Sequence, residues 1–229
     1  MLRYAIYFVP NPTSPLWAFG SSVLGYDSAA GLEVPFPAHP MFQTAEARAL
    51  SEAPRKYGFH GTLKAPFELA DAGDEAALCA AVEAFARDRR PVRVKDMSVV
   101  LLGSFVALVP KPQERDLEQL AGDCVTEFDR FRAPLSQADR ERRLKSKLSP
   151  DQIANLDRWG YPYVFDAFRF HMSLTGPLPA HARDRVHDVM SALFEPLAGP
   201  IDIDAIAVCA QQTRDSRFVV LNRFRFGAV

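Results

Sequence analysis

Two short segments of the chain carry histidine and hydroxyl side chains in the same frame. Residues 59–67 read FHGTLKAPF and residues 170–178 read FHMSLTGPL, so both fit F-H-x-[ST]-L-x-x-P-[FL]. Histidine titrates near neutral pH, and one imidazole can therefore accept a proton while the other donates one. A hydroxyl two residues after each histidine can donate a hydrogen bond to an oxygen on which negative charge builds up. The paired segments predict acid–base chemistry on a phosphodiester.

The alternation of side chains along a strand predicts which residues share a face with each histidine. One face of each segment is apolar and suited to packing on helices. The opposite faces carry Lys56, Gly58, His60, Thr62 and Lys64 in the first segment and Arg169, His171, Ser173 and Thr175 in the second. A single histidine of this kind is more often a core or surface residue, and the duplication is what favours function.

From these faces we predict site residues of two kinds. The catalytic residues are the acid–base pair His60 and His171, with the hydroxyls of Thr62 and Ser173 holding the phosphoryl group. The substrate-binding residues are Lys64, Arg169 and Thr175. For Arg169 a salt bridge is an equally good interpretation. The residues do not indicate which histidine is the base.

The elements that must position these residues follow from apolar periodicity and turn signals. Strands are predicted at 3–9, 56–67, 92–102, 104–110, 164–175, 201–210 and 217–226. Helices are predicted from Ser14-Pro15, over 44–52, over 74–90 with Asp74 as its cap, over 113–130, as two short helices in 131–160, and over 180–194. Strand, helix, strand, strand thus occurs twice, which is typical of a duplicated unit.

We therefore predict an α+β fold. It has two pseudo-symmetric lobes of antiparallel sheet, flanked by helices, around a central groove. Residues 1–229 form a single bilobal domain, with a charged linker inserted at 131–163. Within the linker, Arg140, Arg142, Arg143, Lys145 and Lys147 could form a lid over a phosphate, but a solvated helix face is the favoured interpretation of such a charge run.

Composition narrows the function. The 229 residues include 27 basic and 28 acidic side chains, for a formal net charge of −1. A protein that grips a long nucleic acid usually has a basic excess, so we expect a small phosphorylated substrate and no extended nucleic-acid binding. The three cysteines are scattered and form no CxxC, which argues against a disulfide framework or a zinc site.

Neither a cofactor nor a metal is predicted, since catalytic zinc usually has three protein ligands and the histidines have no nearby carboxylates. No secretory signal or membrane-spanning stretch is visible in the sequence. We therefore expect a cytoplasmic protein that does not enter a membrane and acts as a monomer.

The paired segments resemble the motifs of the 2H phosphoesterase superfamily, which includes RNA 2′,5′-ligase-like and cyclic phosphodiesterase proteins. The strings YGFHGTLKAPF and RWGYPYVFDAFRFHMSLTGPL are similar to the 2H branch encoded with phosphonate-utilisation genes. The resemblance implies a bilobal fold with one motif histidine from each lobe, His60 and His171. It also implies hydrolysis of a small cyclic phosphodiester, for which a phosphoribosyl cyclic phosphate is a candidate.

Two alternatives stay open. A non-catalytic protein could use the same groove to bind a nucleotide or a sugar phosphate. An RNA 2′,3′-cyclic phosphodiesterase or 2′,5′-ligase-like enzyme could use the same histidines. Among nearby aromatic residues, Tyr7, Tyr161 and Tyr163 are interpreted as packing residues rather than groove residues.

Overall fold

Antiparallel strands and flanking helices make up the computed structural model, which describes residues 2–71 and 74–227; Met1, Ala72, Gly73, Ala228 and Val229 lie outside the described residues. The strands are β1 (Arg3–Phe8), β2 (Tyr26–Asp27), β3 (Leu32–Glu33), β4 (Gly61–Phe67), β5 (Val92–Val94), β6 (Met97–Leu102), β7 (Phe105–Pro110), β8 (Met172–Ser173), β9 (Ile201–Ile203), β10 (Ala205–Gln211) and β11 (Val219–Arg225). The helices are α1 (Pro15–Leu24), α2 (Ala45–Ala49), α3 (Glu52–Arg55), α4 (Glu75–Arg87), α5 (Arg115–Glu127), α6 (Gln137–Leu144), α7 (Pro150–Trp159) and α8 (Arg183–Phe194). The predicted α+β class is confirmed.

Two sheets carry the two histidine segments. The first sheet has the order β11-β10-β1-β4, and the second has the order β6-β7-β8. The first histidine segment forms β4 and the second forms β8, so each lies at an edge of its sheet. These two edge strands contact each other, which brings the segments together.

Each sheet takes strands from both halves of the chain. The β6–β7 hairpin follows α4 in the first half, but β7 pairs with β8 of the second half. The β10–β11 hairpin follows α8, but it joins β1 and β4. The helices follow the same exchange, because α4 packs on β10 and β11 while α8 packs on β6 and β7.

The halves have matching elements, as the repeat predicts. The short strands β5 and β9 occupy equivalent places, one after α4 and the other after α8, and they pair with each other. Their register places Arg93 opposite Asp202, and these side chains form an ion pair of 2.9 Å. Equivalent elements of the two halves therefore meet both here and at the contact between β4 and β8.

The two central strands of the first sheet, β1 and β10, belong to the core of the protein. Every residue of β1 and of β10 is buried, as expected for strands covered on both faces. Helix α1 begins as predicted, since the Ser14 hydroxyl accepts a hydrogen bond from Trp17 N at 3.2 Å and Pro15 fills the first turn. Helix α4 buries Leu78, Val82 and Ala86.

Several predicted boundaries are wrong. The strand predicted at 56–67 begins at Gly61, and the one predicted at 164–175 shrinks to Met172–Ser173 after a 3-10 turn at Phe165–Ala167. The side chain of Asp74 makes no capping hydrogen bond with α4. The helix predicted over 44–52 divides into α2 and α3, and β5 is separate from β6. Within residues 2–71 and 74–227, no helix combines the length and apolar character needed to cross a membrane.

Candidate active site

A groove of about 450 Å³ lies where the two histidine segments meet. The first segment contributes His60 and Thr62 to its wall, and the second contributes His171 and Ser173. The other described lining residues are Arg3, Tyr7, Lys56, Tyr57, Ala65, Pro66, Arg142, Arg143, Tyr161, Arg214 and Asp215. The structure therefore places the four residues predicted as catalytic around one cavity.

The backbone permits this close approach at Gly61, the residue after His60. A Cβ atom built at Gly61 would lie 2.3 Å from the ring of Phe170, the residue before His171. Glycine leaves room for that ring, and a side chain at this position would collide with it unless the ring shifted. The glycine in FHGTLKAPF thus has a packing reason that links the two histidines.

His60 is held in one orientation by two hydrogen bonds. Its Nδ1 lies 2.8 Å from the carbonyl oxygen of Gly58, and its Nε2 lies 3.1 Å from the hydroxyl of Thr62. A carbonyl oxygen only accepts hydrogen bonds, so Nδ1 must carry the proton and donate it. In the neutral ring Nε2 is then the acceptor, and the Thr62 hydroxyl donates to it.

The surroundings of His60 favour its neutral form. The ring stacks on the buried ring of Tyr7, with centroids 3.8 Å apart and planes 25° apart. Burial lowers the pKa of His60 to about 4, the hydrogen bond to Gly58 acts in the opposite direction, and the nearby charge of His171 lowers the pKa further. The two imidazoles are therefore close enough to interact, and His60 is neutral at pH 7.

His171 repeats the first arrangement in a more open setting. Its Nδ1 lies 2.9 Å from the carbonyl oxygen of Arg169, two residues earlier, as Gly58 is to His60. Its ring lies beside Phe105 at a centroid distance of 5.7 Å, tilted by 57°, rather than stacked on a buried ring. The carbonyl again orients the imidazole so that Nε2 is available to a ligand.

The same carbonyls explain why neither predicted strand extends upstream of its histidine. Gly58 has φ +74°, outside strand geometry, and its oxygen faces the His60 ring. In the second segment the carbonyl oxygens of Asp166 and Phe168 accept from the guanidinium of Arg169, and that of Arg169 accepts from His171. These oxygens bind side chains in place of a neighbouring strand.

Lys64 does not reach the groove, and its predicted place in substrate binding is corrected. On β1, Tyr7 pairs with Thr62 and Ile6 pairs with Lys64, so the residue between Thr62 and Lys64 is extra. This bulge breaks the alternation of faces. The ammonium of Lys64 turns into the interior, where it donates to the carbonyl of Val125 at 3.0 Å and to Asp129 at 3.2 Å.

Thr175 and Arg169 also lie outside the groove. The Thr175 hydroxyl is buried, accepts a hydrogen bond from Val106 N at 3.0 Å, and donates to the carbonyl of Gly176 at 2.9 Å. It therefore joins the second segment to β7. Arg169 is exposed and lines a neighbouring apolar cavity of about 390 Å³, together with His171. Neither residue has the position predicted for a substrate ligand.

The groove also contains cations from outside residues 59–67 and 170–178. Among the described residues that line it, Arg3, Lys56, Arg142, Arg143 and Arg214 are cationic and Asp215 is acidic. Arg142 and Arg143 belong to the basic run of the linker, for which the sequence favours a solvated face, whereas Arg140 of that run pairs with Asp157. Arg214 carries no signal in the sequence, and Tyr7 and Tyr161 prove to be groove residues as well as packing residues.

The donor set of the groove suits an anion. Within the described parts of the chain, no group of three or more His, Cys, Asp or Glu side chains is placed to hold a metal ion. The lining instead offers guanidinium groups, an ammonium, the hydroxyls of Thr62 and Ser173, and two imidazoles. These are the groups that proteins use to bind phosphate oxygens.

Comparison with known proteins assigns the family. A model of the family DUF1045, described as a protein of unknown function, matches residues 62–219. The chain belongs to this family.

The curated relatives are longer proteins. The chain is 34% identical over 231 residues to the ribose 1,5-bisphosphate phosphokinase PhnN of Janthinobacterium sp. (strain Marseille), which covers 99% of this chain and 51% of that protein. It is 33% identical over 203 residues to the protein of the same name from Laribacter hongkongensis (strain HLHK9), covering 86% of this chain and 47% of the relative. The chain spans about half the length of the curated relatives it matches.

Similar solved structures cover almost the whole chain at low identity. A crystal structure of a phosphoesterase is 14% identical and covers 100% of both chains with a TM-score of 0.42. The structure of E. coli LigT complexed with ATP is 12% identical and covers 99% of this chain and 98% of LigT with a TM-score of 0.46. The structure of TT0787 from Thermus thermophilus is 11% identical, with 99% and 98% covered and a TM-score of 0.45.

Proposed function

We propose that the protein is a metal-independent phosphodiesterase that hydrolyses a small cyclic phosphodiester with His60 and His171 as its base and acid. The observation that carries this proposal is that both imidazoles line one cationic groove in the same orientation, each with Nδ1 on the carbonyl of the residue two positions earlier. Both Nε2 atoms are therefore available for proton transfer.

His60 is assigned as the base because burial favours the neutral form of its ring. Its Nε2 carries a lone pair that accepts from Thr62 in the free protein and can accept a proton from water. The pKa of about 4 keeps that lone pair unprotonated at pH 7. A phosphodiester anion bound beside the ring raises the pKa, which brings the base closer to the operating pH as substrate binds.

His171 is assigned as the acid. In its protonated form Nδ1–H donates to the carbonyl of Arg169, and Nε2–H is free to donate to the leaving oxygen. Water attacks phosphorus as His60 takes its proton, the bond from phosphorus to the leaving oxygen breaks, and that oxygen takes the proton from His171. The product is a single ring-opened molecule that carries a phosphomonoester and a free hydroxyl group, and proton exchange with solvent restores both histidines.

Thr62 and Ser173 hold the phosphoryl oxygens in this mechanism. Each hydroxyl lies two residues after its histidine and lines the groove. Hydroxyl donors aimed at oxygens that gain charge stabilise the transition state more than the ground state. The groove cations add to this stabilisation from the surrounding wall.

The substrate class follows from size and charge. A groove of about 450 Å³ matches a small molecule rather than a polymer, and its cations match phosphate. The curated relatives carry the name of a kinase of ribose 1,5-bisphosphate, and a phosphorylated ribose is of this size. A phosphoribosyl cyclic phosphate is therefore the candidate we favour. We also propose that residues 1–229 act as one bilobal unit, since each sheet needs strands from both halves.

The test is turnover of a panel of cyclic phosphates, including ribose 1,2-cyclic and nucleoside 2′,3′-cyclic forms. We expect hydrolysis that survives EDTA and that falls by about 10²- to 10⁴-fold in kcat in His60→Ala and in His171→Ala. His181→Ala is the matched control, because His181 lies outside the groove. Full activity in either variant, inactivation by EDTA, or ligand binding with no product from any cyclic phosphate would refute the proposal.

A further inference from the structure

Four arginines from three separate parts of the chain meet in the groove. Arg3 lies at the start of β1, Arg142 and Arg143 lie on α6, and Arg214 follows β10. We call these four residues the arginine cluster. None of them belongs to a histidine segment, so the mechanism proposed above leaves their role unexplained.

The arginine cluster lies on a different side of the groove from the histidines. Arg3 and Tyr7 are four residues apart on β1, which corresponds to roughly 13 Å along a strand, and Tyr7 is the residue stacked on His60. Arg3, Arg142 and Arg143 also line a second, small cavity, whereas His171 and Thr62 also line the apolar cavity. The flexible arginine side chains span part of this separation.

The cluster concentrates positive charge. Burial lowers the pKa of Arg3, and the like charges of Arg214 and Arg142 lower it further, which shows that these guanidinium groups lie close enough to repel one another. Burial opposes the ionisation of Asp139, but the hydrogen bond from Arg214 and the charge of Arg142 together lower its pKa. Asp139 is therefore an ionised partner of Arg142 and Arg214, and Glu68 lies 3.4 Å from Arg214, so two carboxylates pair with the four guanidinium groups and do not neutralise them.

Among the residues that the structure describes, two of the four arginines have no carboxylate bound. Arg3 donates to the side-chain oxygen of Gln211, a neutral acceptor. Arg143 lies over the ring of Tyr161 at 4.8 Å from its centroid, and no ion pair is found for it in the described part of the chain. Both guanidinium groups are thus available to bind an anionic ligand. Among the described residues that line the groove, Asp215 is the acidic side chain.

Helix α6 is tied in place by the other charges. Arg214 binds Asp139 at 2.6 Å, which joins the helix to the segment after β10, and Arg140 binds Asp157 at 2.6 Å, which joins it to α7. The inserted linker therefore presents Arg142 and Arg143 to the groove from a braced position.

We infer that the arginine cluster is a second anion subsite, which binds a phosphate monoester on the same molecule whose cyclic phosphodiester lies between the histidines. The inference rests on the proposed function and narrows its substrate class to cyclic phosphodiesters with a second phosphate one sugar away. Guanidinium groups bind a phosphate dianion through several N–H donors at once, which a single lysine cannot do.

The test compares ligands that differ only in the second phosphate. The substrates are adenosine 2′,3′-cyclic phosphate with and without a 5′-phosphate, and the quantity is the ratio of their kcat/KM values. Calorimetry compares the binding of adenosine 5′-phosphate and adenosine. Because two or more charge-assisted hydrogen bonds are gained, we expect the 5′-phosphate to raise kcat/KM and affinity by roughly ten- to a hundredfold.

Arg143→Gln should reduce that ratio by about tenfold, since it removes the guanidinium with no carboxylate partner. Lys145→Gln, at the C-terminal end of the same helix but outside the groove, should keep the wild-type ratio. Equal kcat/KM and equal affinity for the two members of each pair would overturn the subsite, as would the same ratio in wild type and Arg143→Gln. If no cyclic phosphate is hydrolysed, the proposed function fails, while the calorimetric pair still decides the subsite.

Discussion

The two histidine segments share a pattern but not an environment. Both histidines donate from Nδ1 to the carbonyl two residues earlier. His60, however, is stacked on a buried tyrosine and bonded to the hydroxyl of Thr62, on a strand of seven residues. His171 precedes a strand of two residues, and neither its Nε2 nor the hydroxyl of Ser173 has a partner within the described residues.

The difference shows how a duplicated motif can divide the labour of one reaction. Two identical imidazoles in one groove would compete for one proton, with no preference for either. Burial of His60 removes this equivalence, because it disfavours the charged ring there and so favours His60 as the proton acceptor. The pattern of residues thus supplies the groups, and their unequal packing assigns the roles.

The comparison of the two segments predicts its largest effect on kcat when the hydroxyl of Thr62 or Ser173 is removed. We expect Thr62→Val and Ser173→Ala each to lower kcat by about 10²- to 10³-fold, the usual cost of losing a donor to a charged oxygen. The loss should be greater for Ser173→Ala, because the Thr62 hydroxyl must first leave His60 Nε2 before it can serve a phosphoryl oxygen. Steady-state kinetics on a cyclic phosphate measure both effects.

Thr126→Val is the control for these variants, since the Thr126 hydroxyl donates to the carbonyl of Gly122 on the exposed face of helix α5. Wild-type kcat in both hydroxyl variants would contradict their role in holding the phosphoryl group. A greater loss of kcat in Thr62→Val than in Ser173→Ala would contradict the order expected from the hydrogen bond between Thr62 and His60.

The residues four positions after the histidines are Lys64 in the first segment and Thr175 in the second. Substitutions around Lys64 are expected to affect stability rather than catalysis. Lys64 and Thr175 are both buried. Burial lowers the pKa of Lys64 to about 8, and the charge of Asp129 and its hydrogen bond act in the opposite direction. Asp129→Ala leaves Lys64 as a buried charge without its carboxylate, so we expect a loss of about 3–5 kcal/mol in the free energy of unfolding.

Lys64→Met is the matched variant, because it removes the buried charge itself and leaves Asp129 bound to Arg132 at 2.7 Å. It should cost much less stability than Asp129→Ala in urea unfolding, and it should hydrolyse substrate at the wild-type rate. A Lys64→Met variant that is stable but inactive would instead indicate that Lys64 takes part in catalysis.

The site residues that lie within the two histidine segments could be predicted from the sequence. The contributions that depend on strand pairing or come from distant parts of the chain could not. The His-x-hydroxyl pattern holds in both segments because side chains two residues apart share a face over that short distance. Lys64 departs from the pattern because the bulge depends on how β4 pairs with β1, which its own residues do not reveal. Arg143 and Arg214 come from unrelated segments, and no periodicity links them to the histidines.

The fold shows the same limit. The repeated order of strand, helix, strand, strand predicted the α+β class, but each half has one strand more, because β5 is separate from β6 and β9 is separate from β10. It did not predict that β7 pairs with β8 or that β10 joins β1, because equivalent hairpins of a duplicated chain can exchange places without changing their own residues. Only the packing between the halves distinguishes the two arrangements.

The smallest predicted effect tests directly whether the imidazoles converge. In NMR titrations of the ring protons, the signal absent from His60→Gln identifies His60, which should remain neutral until the pH falls to about 4. The charged form is disfavoured by burial and by His171, so His171→Gln should raise the pKa of His60 by a fraction of a pH unit. His181→Gln should leave it unchanged. Because a base must be unprotonated, kcat/KM should fall as the pH drops through the same value. If His171→Gln left the pKa of His60 unchanged, the two rings would not lie close enough to interact, which would contradict the shared site.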